Sequence, residues 1–542
     1  MASSEGRSTS EGRMPLVVVW CRQSYRMADN ALWVAASQYP HASLLCVTSV
    51  PFEGHHPYCS WLTHPRVPQW HRWGEATAWY AHGSLASLAK SLETLGQRLY
   101  YLQPAQSAGK GLNPIREETT CELLPLLNAL EQEGQYALEA IVVDECTEPS
   151  ARQALQVLAP WCQARAVTLR RFLTHTMLPP YQVLNQQGQP FKVFSPFWKT
   201  LFQGMMTGKY ARREVLPAPT FLPPPPEASV MLAVGHMLQK ASFWWLHGSV
   251  EACQLRPSRT WDSHFMALPG EAEAQKMAQA FIASHAAQYH TQRDFPALAQ
   301  GTSKLSSALH FGEISPVQLW ESLEAHLGVP LLEVQALKSG HGMGTFLREV
   351  AWREFAYYLL YHFPHTPDEP LNPAFEAFPW VEDAEALERW HRGQTGYPIV
   401  DAGMRELWHT GWMHNRLRMM VASFLVKDLR IHWREGARWF WDTLTDADLA
   451  SNTLGWQWTS GCGADAAPYF RVFNPILQGK KFDADGAYVR RWIPELSEVP
   501  SSHIHTPWEY ARTPKTYPKP IVDHDKARLL ALEAFETIKR SS

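Results

Sequence analysis

The period of the apolar pattern changes part-way along the chain, and that change limits what it can fold into. Over the first 150 residues, short apolar runs alternate with stretches of helical spacing. The runs Leu16–Trp20, Ser43–Val50, Arg98–Leu102 and Ala140–Glu145 are bounded like buried parallel strands. Asp29–Ser37 and Ser84–Gly96 carry helical spacing between them. This alternation predicts an α/β domain over 14–150, built on a doubly wound parallel sheet. No G-x-G-x-x-G follows the first run, which argues against an ordinary dinucleotide site. Pro179, Pro180, Pro190, Pro196 and the run Pro223 to Pro226 then predict an interdomain linker over 151–245, without long regular elements from 179 to 241. Beyond it strand signals cease. Gly270–His290, Pro316–Leu327, Gly344–His362, Ala384–His391, Val400–Asp428 and Trp433–Trp441 read as amphipathic helices, giving an all-α domain over 246–500. Residues 1–13 read as a disordered tail, with Met14 an alternative start, and 501–542 as a C-terminal tail with one short helix.

At 542 residues the chain exceeds what one core can organise. It has no apolar run of about eighteen residues, so no membrane span is expected. The stretch MASSEGRSTSEGR lacks the apolar centre of a secretory signal, and the expected location is cytoplasmic. Eight scattered cysteines without a C-x-x-C pair suit reduced thiols, not disulfides, zinc or an iron–sulfur cluster, and no metal is expected. With a net charge of −3, any contact with nucleic acid needs a local basic surface. Tryptophan is the abnormal residue: 24 are present, several beside polar groups where packing alone explains them poorly.

Four segments carry chemistry. In Gly301–Ser307, small hydroxyl residues enter a helix, an arrangement that can hold a phosphate and can equally be a plain N-cap. In LREVAWREF (347–355), helical spacing puts Glu349, Trp352 and Arg353 on one face, suited to a flat, polar, partly apolar ligand. Asn415, Arg416, Arg418 and Met419 fall at neighbouring helical positions. Asp446 and Asp448 precede Asn452, Trp456 and Trp458, and an acidic group paired with Arg418 would need good hydrogen bonding if buried.

Together with GTSKLSSALHFGEISP (301–316), GYPIVDAGMRELWHTGWMHNRLRM (396–419), DADLASNTLGWQW (446–458) and GADAAPYFRVFNPILQGKKFD (463–483), these segments resemble the photolyase/cryptochrome flavoprotein family from roughly 270 to 483. Within it the chain looks most similar to class I cyclobutane-dimer photolyases. The resemblance implies a helical domain that binds FAD and repairs ultraviolet-damaged DNA with light, as a monomer without membrane partners. The alternative is a cryptochrome-like photoreceptor without repair activity.

By that resemblance, Tyr289 and Thr302, Ser303, Lys304, Leu305 and Ser306 would hold the FAD phosphates and sugar-alcohol. Arg353, Asp446, Ala447 and Asp448 would line the cofactor, with Arg418 paired to Asp446 and Asn452 facing the flavin N5. An uncharged amide suits a reduced flavin that must give up an electron. Trp380, Trp433 and Trp456 would relay electrons for photoreduction. Glu349, Trp352, Asn415, Met419 and Trp458 match a cyclobutane-dimer pocket, with Trp352 and Trp458 stacking on the flipped dimer. Arg293, Arg416 and Gln478, with Arg471 a further candidate, would meet the lesion strand. Photolyases for the (6-4) lesion carry histidines where this chain has Asn415 and Met419, and His414 is out of register to replace them.

Departures from the family pattern lie in the N-terminal half. The asparagine–glutamate pair that holds a folate antenna aligns with Glu148-Pro149. A proline cannot donate its backbone N–H, which argues against folate and leaves a deazaflavin, a second flavin or no antenna open. The 46 residues after Leu496 leave little room for a long signalling tail.

Overall fold

The computed structural model describes residues 12–50, 74–104, 121–241, 244–255, 260–332, 342–466 and 470–540. Most of the expected 1–13 tail lies outside them. Strand β1 (Met14–Cys21) is central to a six-stranded sheet, and its residues from Leu16 to Cys21 are fully buried. Chain order gives α1 (Ala31–Ala36), β2 (Ser43–Ser49), α2 (Glu75–Glu93), β3 (Leu99–Pro104), α3 (Leu124–Glu133), β4 (Tyr136–Asp144), α4 (Pro149–Ala164) and β5 (Thr168–Phe172). The sheet order is β5-β4-β1-β2-β3-β6, so it is doubly wound with its switch point between β1 and β4. All pairs are parallel except β3 with β6 (Trp244–His247), an antiparallel edge. Side chains fill the switch point. Asp144, at the end of β4, accepts from the backbone N–H groups of Arg22 and Gln23 and from the Ser24 and Thr174 hydroxyls. That seal gives a physical reason for the missing glycine fingerprint.

The region expected to be a linker is more ordered than its prolines suggest. Helix α4 and strands β5 and β6 belong to the α/β layer, which therefore continues past residue 150. Two long helices, α5 (Phe194–Met206, 13 residues) and α6 (Ala228–Ala241, 14 residues), correct the expectation of no regular elements. Pro196 sits in the first turn of α5, where its missing N–H has no partner to lose, and the run at 223–226 ends before α6 begins.

The second domain is helical: α7 (Glu271–Ser284), α8 (Tyr289–Gln292), α9 (Ser306–His310), α10 (Pro316–Leu327), α11 (Gly342–His362), α12 (Ala384–His391), α13 (Pro398–Thr410), α14 (Asn415–Ser423), α15 (Trp433–Thr443), α16 (Leu449–Ser460), α17 (Pro475–Phe482), α18 (Ala487–Trp492) and α19 (His524–Arg540). The single helix expected over 400–428 is broken at Gly411, which caps α13 in the left-handed conformation, and α14 ends in a π turn over 424–428. The expected C-terminal tail carries α19, a helix of 17 residues docked on the domain. Among the described residues no helix is long and apolar enough to cross a membrane.

Candidate functional site

Helix α16 begins on a charged cap. Asp448 accepts from the Ser451 N–H at 2.7 Å through one oxygen, while the other takes Tyr357 Oη at 2.5 Å and His310 Nδ1 at 3.2 Å. Burial alone would push Asp448 up. The hydrogen bonds from His310 and Tyr357, with the charge of Arg353, outweigh it and hold the carboxyl well below its usual range. Two residues earlier, Asp446 Oδ2 receives Arg418 Nη2 at 2.8 Å, and Arg418 Nε donates to the Met413 carbonyl at 2.8 Å. The other Asp446 oxygen is buried with no hydrogen-bond partner among the described residues, as is Trp456 Nε1. Asn452, one turn into α16, donates to the Ala437 carbonyl at 3.0 Å. Ala447 is buried between the two aspartates.

The segment before α9 lies at the edge of this cluster. Thr302 and Ser303 are half-buried, Leu305 is buried and Ser306 is exposed. Lys304 adopts a left-handed backbone, with its ammonium 5.0 Å from the Trp412 ring. Lys304 and Arg418 both act on Glu406, which burial nevertheless raises to about 7. Tyr289 packs edge-on to Phe281 and Phe346, with the Arg293 guanidinium 5.5 Å from its ring. Arg353 leaves the face expected to join it to Glu349 and Trp352. Its guanidinium bonds the carbonyls of His175 and Leu309 and lies 4.4 Å from the Tyr357 ring.

A second surface assembles the expected DNA residues. Arg293 is ion-paired with Glu349, and Arg416 with Asp294 at 2.5 Å. Arg416 also approaches Met419 Sδ at 3.9 Å and the Phe482 ring at 4.8 Å. Trp352 is braced on one face by Phe194, the first residue of α5, with ring centroids 3.9 Å apart and planes within 10°. Trp458 lines a cavity of about 140 Å³ with Ser423, Lys427, Asp465, Arg471 and Phe473. Asp465 takes a backbone hydrogen bond from Phe194, which links that cavity to Trp352. Asn415 is exposed at the start of α14, and Gln478 is half-buried on α17.

The "DNA photolyase" family matches residues 17–220, and the "FAD binding domain of DNA photolyase" matches 346–537. A deoxyribodipyrimidine photo-lyase of Agrobacterium fabrum is 36% identical over 538 residues, covering 97% of this chain and 98% of that one. One from Escherichia coli is 39% identical, with 96% and 99% covered. The chain belongs to the DNA photolyase family. A bacterial class III photolyase structure from Agrobacterium tumefaciens superposes with a TM-score of 0.79 at 35% identity, covering 99% of this chain and all of that one. Class III is a subdivision the resemblance to class I did not name.

The residues present fit the FAD that the family's helical domain binds. The unpartnered Asp446 oxygen is a buried acceptor, and leaving such a group unpaired costs about 1–3 kcal/mol. A ring N–H of the isoalloxazine would meet it. Asp448, held ionised, takes three hydrogen bonds from the protein, which tie together Tyr357, His310 and the start of α16.

Of the tryptophans expected to relay electrons, Trp433 and Trp456 are buried and Trp380 is half-buried. His432 sits between two of them, 4.9 Å from Trp380 and 5.7 Å from Trp433. Its Nδ1 caps α15 by accepting from the Arg434 N–H, and burial with nearby Arg434 lowers it to about 4, so the spacer is uncharged at neutral pH. The sequence reading missed Trp390, edge-on to Trp456 at 6.3 Å, and Phe194 behind Trp352. It also missed His310, although that residue stands inside the 301–316 motif.

Glu148 and Pro149 stand where the resemblance expects a folate-antenna pair. Glu148 is raised by burial and by the charge of Asp448, and it accepts from Gln23 Nε2 at 2.9 Å. Pro149 opens α4, where no N–H is needed. A cavity of about 340 Å³ lies nearby, lined by Glu145, Arg152, Arg171, Tyr181 and Tyr361, and neither Glu148 nor Pro149 lines it.

Proposed function

We propose that this chain is a deoxyribodipyrimidine photo-lyase, repairing cyclobutane pyrimidine dimers in DNA under light. The observation that carries the reading is the Trp352 platform: one indole face is braced by Phe194, and its neighbour Glu349 is anchored by Arg293. A flat, extruded dimer stacks on such a platform, and a carboxylate beside it bonds the pyrimidine edge. When bound and reduced, FAD supplies the light-driven electron that splits the dimer. Asn452 would present that group an uncharged amide, and Trp380, Trp433 and Trp456 would serve its reduction. Arg293, Arg416, Arg471 and Gln478 meet the lesion strand, so binding weakens steeply with salt.

Selectivity for the cyclobutane dimer rests on Asn415 and Met419, neither of which relays protons. His414 cannot take over that work. Its Nδ1 accepts from the Arg416 N–H as the cap of α14, and burial lowers it to about 4. The proposed pocket draws on one chain alone, which is compatible with action as a monomer.

The deciding assay gives flavin-loaded, reduced protein an oligonucleotide carrying a cyclobutane dimer, in the dark and under blue light. Loss of dimers in light alone is the expected result. Unchanged dimers with flavin bound would sink the proposal and favour the photoreceptor reading. Glu349→Ala and Trp352→Ala should each weaken lesion binding or lower repair yield; parent-like behaviour in both would overturn the pocket assignment.

A further inference from the structure

An unbroken line of contacts joins the C-terminal helix to the wall of the Trp458 cavity. Helix α19 buries Ala527, Ala531, Ala534 and Ile538, which helical spacing puts on one stripe. That stripe packs on the π turn at 424–428 and the short turn at 373–377. His524 starts the helix and bonds Asp428 of the π turn through Nδ1. The approach to it is tied down by Tyr397 Oη on the Val522 carbonyl and by the Ile521 N–H on the Thr395 carbonyl.

Near the far end of α19, Phe535 lies flat on Phe470, with centroids 4.6 Å apart and planes within 7°. Phe375 closes on both rings, at 6.0 Å from Phe535 and 6.4 Å from Phe470. On Phe470 rests the Lys427 ammonium, 4.4 Å from the ring, which also donates to the backbone carbonyl of Arg471. Lys427 and Arg471 line the cavity with Trp458. Burial lowers Lys427 to about 7, so it keeps its charge only where its partners are fixed. Here those partners are a carbonyl and a ring face in the 470–473 segment, and the ring face is fixed from behind by α19. Ser423 adds a second tie by accepting from the Phe473 N–H at 3.2 Å.

We propose that α19 is a positioning element for DNA binding: Phe535, through Phe470 and Lys427, holds Arg471 where it meets the backbone of the damaged strand. The proposal rests on the reading that the Trp458 cavity faces DNA. Phe535 itself does not line the cavity.

The test uses flavin-loaded protein carrying Phe535→Ala, Phe535→Leu, Phe535→Tyr, Arg471→Ala, or Phe535→Ala with Arg471→Ala. Readouts are flavin content, affinity for a dimer-containing oligonucleotide, and repair per absorbed photon at saturating DNA. Phe535→Ala should weaken binding about fivefold, the equivalent of one lost aromatic stack, with repair at saturation unchanged. Phe535→Tyr, which keeps the ring, should bind like the parent, and the double variant should bind no more weakly than Arg471→Ala. Parent-like binding by Arg471→Ala would defeat the reading of the cavity as DNA-facing. If Arg471→Ala is weak, parent-like binding by Phe535→Ala, or effects that multiply in the double variant, would overturn the role of α19 alone. Should Phe535→Ala fail to retain flavin, Phe535→Leu against Phe535→Tyr decides: weaker binding by the leucine variant supports the proposal, and equal affinities defeat it.

Discussion

At Gly436 helix α15 packs directly on Trp456, and adding one methyl group there tests the packing of a tryptophan proposed for the relay. A Cβ at Gly436 would lie 2.0 Å from Cη2 and 2.5 Å from Cζ3 of that indole. Carbon–carbon contacts prefer about 3.5–4.0 Å, so the ring would have to recede by about 1.5 Å. It has little freedom to do so, being 2% exposed, with Phe440 at 5.0 Å and Trp390 at 6.3 Å. Overpacking costs about 1–3 kcal/mol, and a clash this large takes the upper end. Alanine in a helix interior recovers about 1 kcal/mol over glycine, leaving a net loss of about 2 kcal/mol for Gly436→Ala. Gly455 is the matched control, since it lies beside Trp456 on α16 and an added Cβ there meets open space. Gly455→Ala should therefore stabilise by about 0.5–1 kcal/mol. Urea unfolding followed by far-ultraviolet circular dichroism and flavin absorbance, with the rate of flavin photoreduction, reads both variants. Gly436→Ala should unfold at lower urea and photoreduce more slowly, whereas Gly455→Ala should do neither. If the two variants behave alike, Trp456 is not packed against α15 as described.

Trp380→Phe should slow photoreduction while leaving repair by chemically reduced protein intact; normal photoreduction would remove Trp380 from the relay. Asp446→Asn leaves the Arg418 guanidinium without its charge partner. With Arg418 partly exposed, we expect a loss of about 1–3 kcal/mol and poorer flavin retention on gel filtration, and full retention would refute the assignment. His432 is lowered to about 4, against about 6.5 when unfolded, so the unfolded chain binds more protons between those values. Its contribution is complete above about pH 6.5 and declines as pH falls toward 4. Glu313, Glu354 and Glu406, raised by burial to about 7, act oppositely: their contribution is complete below about 4.5 and is lost as pH rises through 7. Comparing the parent with His432→Asn, which keeps a capping acceptor, cancels the glutamates. The acid limb of stability should flatten by one proton, and an unchanged slope would refute the titration.

The fold was legible wherever periodicity was long and undisturbed. Strands β1, β2 and β4 stand out because each carries an apolar run buried on both sheet faces, at 16–21, 44–47 and 140–143. Strand β6 was not legible: four residues, Trp244 to His247, extend because the edge of β3 is there to pair with. Helix α5 was hidden because a first-turn proline looks like a breaker until the helix start is known. In the site, residues 446–458 were readable together because cap and helix follow one another in sequence. Phe194 behind Trp352 and His310 on Asp448 join distant segments, and no local pattern announces such pairs. Arg353 shows the limit of a helical face, since its long side chain reaches two carbonyls away from Glu349.

The sealed switch point explains how the α/β domain bears on the flavin domain. Asp144 fixes the loop after β1, and Gly312 presses against that loop so closely that a Cβ would lie 2.2 Å from the Gln23 carbonyl oxygen. Arg26, fully buried, donates to the Gly312 carbonyl, and Tyr80 on α2 donates to Glu313. Residues 310–313 are thus gripped from the N-terminal side, and His310 at their start is a hydrogen-bond partner of Asp448. The Asp144 carboxylate would repel a phosphate brought to this crevice. Asp144 instead fixes the loop that grips residues 310–313, and through His310 that grip reaches the cap of α16.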